Sequence, residues 1–170
     1  MKYFLLDADD RIEQPYFLDW YKIMEPKRQA AWKIPRLNSF AVSLSGETDF
    51  IDIVSYPYFM LSQAFYNLVL MYDKTIWFKY AVLFDKKSRR HMTYGMPRLE
   101  VVDCLSERSE LNRDGSVLRR AVLRGEVVRG RTLFQIGGVK NRYVAASLDL
   151  VESAFRREVL GLRIQEVAIE

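Results

Sequence analysis

The segment from residue 57 to residue 72 constrains the fold most, because its apolar side chains recur every three or four positions. Such spacing over a wide face predicts an α-helix that other elements cover on several sides. Ser55 is a suitable N-cap, and Pro57 suits a first helical turn. Polar residues interrupt the apolar run, which is therefore too short for a membrane span. The residues of the apolar face are Met60, Leu61, Ala64, Phe65, Leu68, Val69 and Tyr72.

Short runs of β-forming residues, separated by turn signals, precede and follow this helical segment. The run at 2–6 has the pattern of an edge or first strand, and 38–44 is a further strand. The main sheet is predicted to be mostly antiparallel and to include 76–84, 98–105, 117–124 and 131–136. Together with the buried helix, these strands predict a single α+β domain over residues 1–170.

A second helix is predicted near residues 147–160. Leu148, Val151, Phe155 and Val159 share one face, Ser147 is a suitable N-cap, and Gly161 suits a left-handed helix end. Arg156 and Arg157 lie in the last turns, where cations complement the helix dipole by about 0.3–1 kcal/mol each. We therefore predict a structural role for this arginine pair.

Composition limits the chemistry that the chain can perform. Apolar residues make up 49% of the 170 residues and aromatic residues 14%, which is typical of a folded domain. Cys104 and His91 are the single cysteine and histidine, so neither a disulfide nor a Cys/His zinc site can form within one chain. Cys104 lies in an apolar run and is predicted to be buried and inert. We expect no enzyme activity, no cofactor and no metal.

The amino-terminal region predicts a soluble cytoplasmic protein. Its apolar run turns acidic after six residues, which is too short for a signal-peptide core. The acids Asp7, Asp9, Asp10 and Glu13 have the ligand chemistry of a divalent-cation site. They lack the spacing of a calcium loop, and a solvated turn is the favoured interpretation.

The positive charge lies mainly in the second half of the chain. Residues 1–85 contain 9 basic and 11 acidic side chains, a balance of −2, whereas residues 86–170 contain 17 and 11, a balance of +6. The region 86–142 is therefore the best candidate for contact with nucleic acid. Arg119 and Arg120 are consecutive on a predicted strand and would point to opposite faces, so a solvated sheet face is the favoured interpretation.

Two segments combine the residue types that dominate protein interfaces. The segment 14–37 is rich in aromatic residues and interrupted by three prolines, which predicts irregular structure with short helical turns. The segment 86–95 is predicted to be a basic loop. Aromatic and arginine side chains are frequent hot spots of binding. The candidate partner-binding residues are Tyr16, Trp20, Tyr21, Trp32, Lys86, Lys87, Arg89, Arg90 and Tyr94.

The order of these elements resembles a known family. The stretches MKYFLL, DFIDIVSYPYFMLSQAFYNLVLMYDKTIWFKYAVLFD, RLEVVDCLSERSE and TLFQIGG followed by YVAASLDLVESAFRREVLGLRIQEV occur in this order. They resemble the DUF1629-type immunity proteins of bacterial polymorphic toxin systems, immunity protein family eleven. The resemblance covers most of residues 47–170 and not the segment 14–37.

The resemblance implies a function that residue chemistry alone does not provide. Proteins of this family are non-enzymatic α+β proteins that bind and block a cognate toxin, usually encoded next to them. The expected partner is therefore a toxin domain, and a nucleic-acid-binding domain that uses residues 86–142 is the alternative.

Overall fold

Two curled, six-stranded mixed sheets form the framework of the protein. The computed structural model describes residues 1–18, 35–45 and 49–170. The described strands are β1 Tyr3–Ala8, β2 Tyr16–Phe17, β3 Leu37–Ser43, β4 Ile53–Val54, β5 Met60–Ser62, β6 Trp77–Asp85, β7 Arg90–Arg98, β8 Val101–Val102, β9 Glu110–Leu111, β10 Leu118–Arg120, β11 Val122–Leu123, β12 Leu133–Ile136, β13 Val144–Ser147 and β14 Leu162–Ile169. The described helices are α1 Gln63–Tyr72, α2 Gly125–Val128 and α3 Leu148–Arg156.

The chain termini meet in the first sheet, whose strand order is β11-β14-β1-β13-β12-β8. The strand β1 is the first strand of the chain, one of the two predicted alternatives, but it is not an edge strand: it lies inside this sheet and pairs antiparallel with β13 and β14. Its alternate side chains are buried on opposite faces: Phe4 packs toward the second sheet and Tyr3 packs on the outer face. A strand buried on both faces belongs in the interior of a sheet.

The second sheet has the order β2-β3-β6-β7-β5-β4, and the helices α1 and α3 pack between the two sheets. Phe65 and Leu68 of α1 are almost fully buried there, beside Leu150 and Ala154 of α3. The prediction that the first helix is largely buried is therefore confirmed. Burial of these side chains removes apolar surface from water and holds the sheets together.

The start of α1 was predicted wrongly. Residues 60–62 form β5, which pairs with β4 and β7, and the helix begins only at Gln63. Ser62, and not Ser55, is the N-cap, because its hydroxyl accepts a hydrogen bond from the Phe65 N–H at 3.3 Å. Strand pairing across the sheet outweighs the helical periodicity of the first residues of the segment.

The carboxyl-terminal helix is shorter than predicted. It spans Leu148–Arg156, with Ser147 at the N-cap position and Asp149 in the first turn. Glu158, with a φ of 54°, closes the helix in the left-handed conformation, and not Gly161 as predicted. Gly161 is also left-handed, with a φ of 75°, but it lies beyond the helix end at Arg157. Arg156 lies 3.4 Å from Glu152, one helical turn away, so its contact is with its own helix.

Two further strand predictions need correction. The predicted strand 98–105 is the end of β7 followed by the short β8, because β7 begins at Arg90 and pairs with β6 along its whole length. The predicted strand 117–124 divides into β10, which pairs with β9, and β11, which pairs parallel to β14. The short helix α2 lies between β11 and β12. The fold is mostly β, with three short described helices, and resembles the expected α+β class only loosely.

Among the described helices, none has the length and apolar character needed to cross a membrane.

Candidate partner-binding surface

The predicted basic residues lie on the turn that joins β6 to β7. Asp85 ends β6 in a nearly buried position, and its carboxylate accepts hydrogen bonds from the backbone N–H groups of Lys87 at 3.2 Å and Ser88 at 3.1 Å. Hydrogen bonding from the Ser88 side chain is the largest cause that lowers the pKa of Asp85. The carboxylate therefore stays charged and fixes the shape of the turn.

This turn presents cations to solvent. Lys86, Lys87 and Arg89 are exposed, and Arg89 has a left-handed φ of 59°. Arg90 is the first residue of β7, and its guanidinium lies 3.3 Å from the Asp49 carboxylate. The basic loop is thus shorter than the predicted 86–95, and one of its four cations forms an ion pair.

Tyr16 lies in an apolar groove of about 500 Å³. Its side chain is 61% exposed and that of Tyr56 is 64% exposed, and Pro15 and Pro57 extend the apolar wall. Arg163 lies at the polar end of the groove. Exposed tyrosines are typical of interfaces, because a rigid apolar ring carries a polar hydroxyl. The other predicted aromatic candidates, which lie outside the described residues, are Trp20, Tyr21 and Trp32.

Tyr94 does not belong to this surface. Its side chain is fully buried, and its hydroxyl donates a hydrogen bond of 2.6 Å to the Ile51 carbonyl oxygen. Burial raises the pKa of this hydroxyl well above its ordinary value. Met92 and Met96, two residues to either side on β7, pack in the same cluster. We therefore correct the prediction: Tyr94 is a core residue.

Replacing Tyr94 by Phe should test this correction. The variant keeps the ring but leaves the buried Ile51 carbonyl oxygen without its donor, which costs about 1–3 kcal/mol. We expect a lower midpoint in urea unfolding and unchanged affinity for any partner. If the variant had wild-type stability but bound a partner less tightly, Tyr94 would be a binding residue and the correction would be wrong.

The sequence analysis missed Trp77, the first residue of β6. It is 76% exposed, although β6 lies in the interior of the second sheet. Trp77 borders a groove of about 500 Å³ between the two sheets, whose floor includes Ile76 and Leu99. Arg98 lies directly opposite Trp77 in the β6–β7 register. Its position at the end of a strand could have indicated this exposure, because a terminal strand residue can extend beyond the elements that cover the other residues of the strand.

The groups that could perform nucleophilic catalysis are separate. Cys104 is fully buried on the outer face of the first sheet, and burial is the main cause that raises the pKa of its thiol to about 11. Little thiolate is present at neutral pH under these conditions. His91 is exposed on β7 in the second sheet. The fold does not bring the two side chains together as a nucleophile and base.

Two arginine side chains pair with Asp7, Asp9 and Asp10 of the acidic amino-terminal turn. Arg163 lies 2.9 Å from both Asp7 and Asp10, and Arg11 lies 2.7 Å from Asp9. Hydrogen bonding from the Arg11 side chain is the main cause that lowers the pKa of Asp9 to about 2. Within residues 1–18, 35–45 and 49–170, no group of three acidic, histidine or cysteine side chains is placed to hold a metal ion.

The basic region 107–142 is partly neutralised by ion pairs. The segment contains nine basic and four acidic residues. At least four of these basic side chains lie within ion-pair distance of a carboxylate, which lowers the net field at this surface. These pairs are Arg108–Glu170, Arg120–Glu110, Arg124–Asp103 and Arg131–Glu100.

The chain matches no protein-family model, and no curated protein is significantly similar to it in sequence.

Proposed function

We propose that this chain is a non-enzymatic immunity protein that binds and neutralises a cognate bacterial toxin in the cytoplasm. The observation that carries the proposal is the set of exposed side chains described above. Exposed aromatic or cationic side chains occur at three places: at Tyr16, at Trp77 beside Arg98 and at the turn 86–90. Interfaces of specific binders are enriched in these residue types.

The chemistry of the remaining groups supports a binder rather than a catalyst. The single thiol is buried with a raised pKa, and the carboxylates of the amino-terminal turn are paired with arginines. The resemblance of residues 47–170 to immunity proteins supplies the class of partner, a toxin domain encoded by a neighbouring gene.

Neutralisation is the direct test. The carboxyl-terminal domain of the neighbouring gene product would be expressed in bacteria from a tightly repressed promoter, with this chain or with an empty vector. We expect growth arrest with the empty vector, growth with this chain, and one complex of the two purified proteins. A toxic domain that this chain neither binds nor neutralises would refute the proposal.

The turn should contribute to binding mainly through the association rate. Lys86→Glu with Lys87→Glu reverses two exposed charges and should slow association with an acidic partner, because such charges steer the encounter. The change should be about tenfold at low salt and smaller at 0.5 M salt. Stopped-flow association kinetics would measure it.

The matched control is Arg156→Gln with Arg157→Gln on α3. Arg156 pairs with Glu152, and Arg157 donates to the Ser153 carbonyl oxygen at 3.4 Å and lies 3.9 Å from the Met71 sulfur on α1, so these contacts are all with the two helices. This variant should lose at most about 2 kcal/mol of stability and leave binding within a few-fold. A larger effect on binding from the helix pair than from the turn pair would place the interface on α3.

A nucleic-acid-binding domain is the second candidate, favoured by the exposed cations Lys86, Lys87 and Arg89 on a chain of net charge +4. Such binding would weaken steeply with salt because it releases counterions. Failure to retain the protein on a polyanion column above physiological salt would exclude it.

A further inference from the structure

The strand β14 has one side that is only partly occupied. On one side it pairs with β1 over residues 162–167, whereas on the other side β11 pairs only with Ala168 and Ile169. In an antiparallel pair, alternate residues direct their backbone N–H and C=O groups toward the partner strand and away from it. The register therefore decides which backbone N–H and C=O groups of β14 have no neighbouring strand to bond with.

Hydrogen bonds at the ends of the strand fix this alternation. The Asp9 N–H donates to the Gly161 carbonyl oxygen at 2.8 Å, so the odd-numbered residues of β14 bond to β1. On the opposite side, the Glu170 N–H donates to the Leu123 carbonyl oxygen at 3.0 Å, so the even-numbered residues face away from β1. The backbone groups of Leu162, Ile164 and Glu166 thus point outward, and no described residue forms a hydrogen bond with them.

We propose that the edge of β14 from Leu162 to Glu166 accepts an extended strand of a partner protein. An added strand would satisfy the N–H and C=O groups of these three residues, which is the binding mode of β-augmentation. The identification of the partner as a toxin rests on the proposed function, whereas the proposal that this edge binds a strand is independent of it.

The charged side chains on this edge do not repel an added strand. Natural proteins often protect an open edge with charges. Here each charge already has a partner within its own sheet or the adjacent turn: Arg163 pairs with Asp7 and Asp10, and Glu166 pairs with Lys2 at 2.9 Å. These ion pairs hold the charged side chains against their own sheet and turn, which leaves the backbone groups of the edge open to pairing.

The side chains of the edge define the chemistry of the partner strand. Leu162 and Ile164 face the core between the sheets, whereas Arg163 and Gln165 are exposed on the opposite face. Neighbouring strands place like faces together. The fitting segment is about five residues long and alternates apolar with polar side chains. A second copy of this chain is the alternative occupant, and the sedimentation experiment below distinguishes it from a partner protein.

Ile164→Pro is the specific variant. Proline removes the outward N–H of Ile164 and leaves the hydrogen bonds between β14 and β1 intact, which is why edge strands tolerate it. Ile164→Ala is the matched control, because it shortens the same side chain and keeps the N–H. If Ile164→Pro does not fold, Glu166→Pro replaces it at an exposed position. Glu166→Ala is then the matched control that keeps the N–H.

Amide hydrogen exchange of the free protein tests the edge without any partner. The amides of Leu162, Ile164 and Glu166 should exchange at least about tenfold faster than those of Arg163, Gln165 and Val167. Equal protection of both sets would show that the edge is covered, and would overturn the proposal.

Binding is tested with a phage-displayed library of random twelve-residue peptides. Enriched peptides should protect the outward amides, bind wild type and Ile164→Ala within about threefold, and lose at least tenfold affinity for Ile164→Pro. No enrichment, or equal binding to the proline variant, would overturn the proposal. So would a wild-type dimer in sedimentation that Ile164→Pro dissociates, because a second copy would then occupy the edge.

The neutralisation assay separates the two proposals. If peptides bind the edge but the chain does not neutralise the neighbouring gene product, only the immunity function fails. If Ile164→Pro neutralises the toxin as wild type does, the assignment of the edge to the toxin is overturned and the immunity function stands.

Discussion

Phe65→Asp should abolish soluble expression of the protein. Phe65 is 1% exposed and lies on α1 between the two sheets, packed with residues of both. Loss of the ring alone costs about 3–5 kcal/mol, and an unpaired buried carboxylate adds several more. Because a domain of this size is stable by only about 5–15 kcal/mol, the unfolded state should dominate. The amount of soluble protein and its circular dichroism spectrum would be measured.

Met71→Asp on the same helix is the matched control. Met71 is 66% exposed, so the new carboxylate stays in water, and the variant should express and melt within a few degrees of wild type. If Phe65→Asp also expressed and melted like wild type, α1 could not be the helix that joins the two sheets.

Gly161→Ala should produce the next largest loss of stability. Gly161 has a φ of 75°, where an L side chain costs about 1–2 kcal/mol. A Cβ atom built at this position also lies 2.9 Å from the Ile51 Cβ. The backbone cannot easily move away, because the Asp52 N–H donates to the Leu160 carbonyl oxygen at 3.0 Å and the Asp9 N–H donates to that of Gly161. Overpacking adds about 1–3 kcal/mol.

Gly115→Ala separates the two contributions. Gly115 has a similar φ of 70°, but a Cβ atom there would have no neighbour within 4 Å. It should therefore lose only the backbone cost of about 1–2 kcal/mol, and Gly161→Ala should lose more. Urea unfolding of both variants would measure the difference. If both variants lost the same free energy of unfolding, the contact with Ile51 would contribute nothing to the loss in Gly161→Ala. In the Gly161→Ala background, Ile51→Ala would remove the contacts with Cγ2 and Cδ1, each at 3.2 Å, but keep the Cβ contact, so it should relieve only part of the overpacking.

The sequence determined the features that depend on neighbours along the chain. The periodic apolar face predicted a buried helix, and the structure buries Phe65 and Leu68 of α1. The left-handed conformation of Gly161 and the burial of Cys104 were also predicted correctly. The exposure of the turn after Asp85 followed from its run of charged residues, which acts over a few positions.

Only the tertiary structure decided the features that depend on strand pairing. Residues 60–62 became β5 rather than a helical turn because β4 and β7 offer hydrogen-bonding partners that the local sequence does not record. The central place of β1, the burial of Tyr94, the exposure of Trp77 and the open edge at Ile164 follow from which strands lie side by side and in which register. A single sequence specifies the alternation of a strand, but which face is covered and which edge is occupied depends on segments distant in the chain.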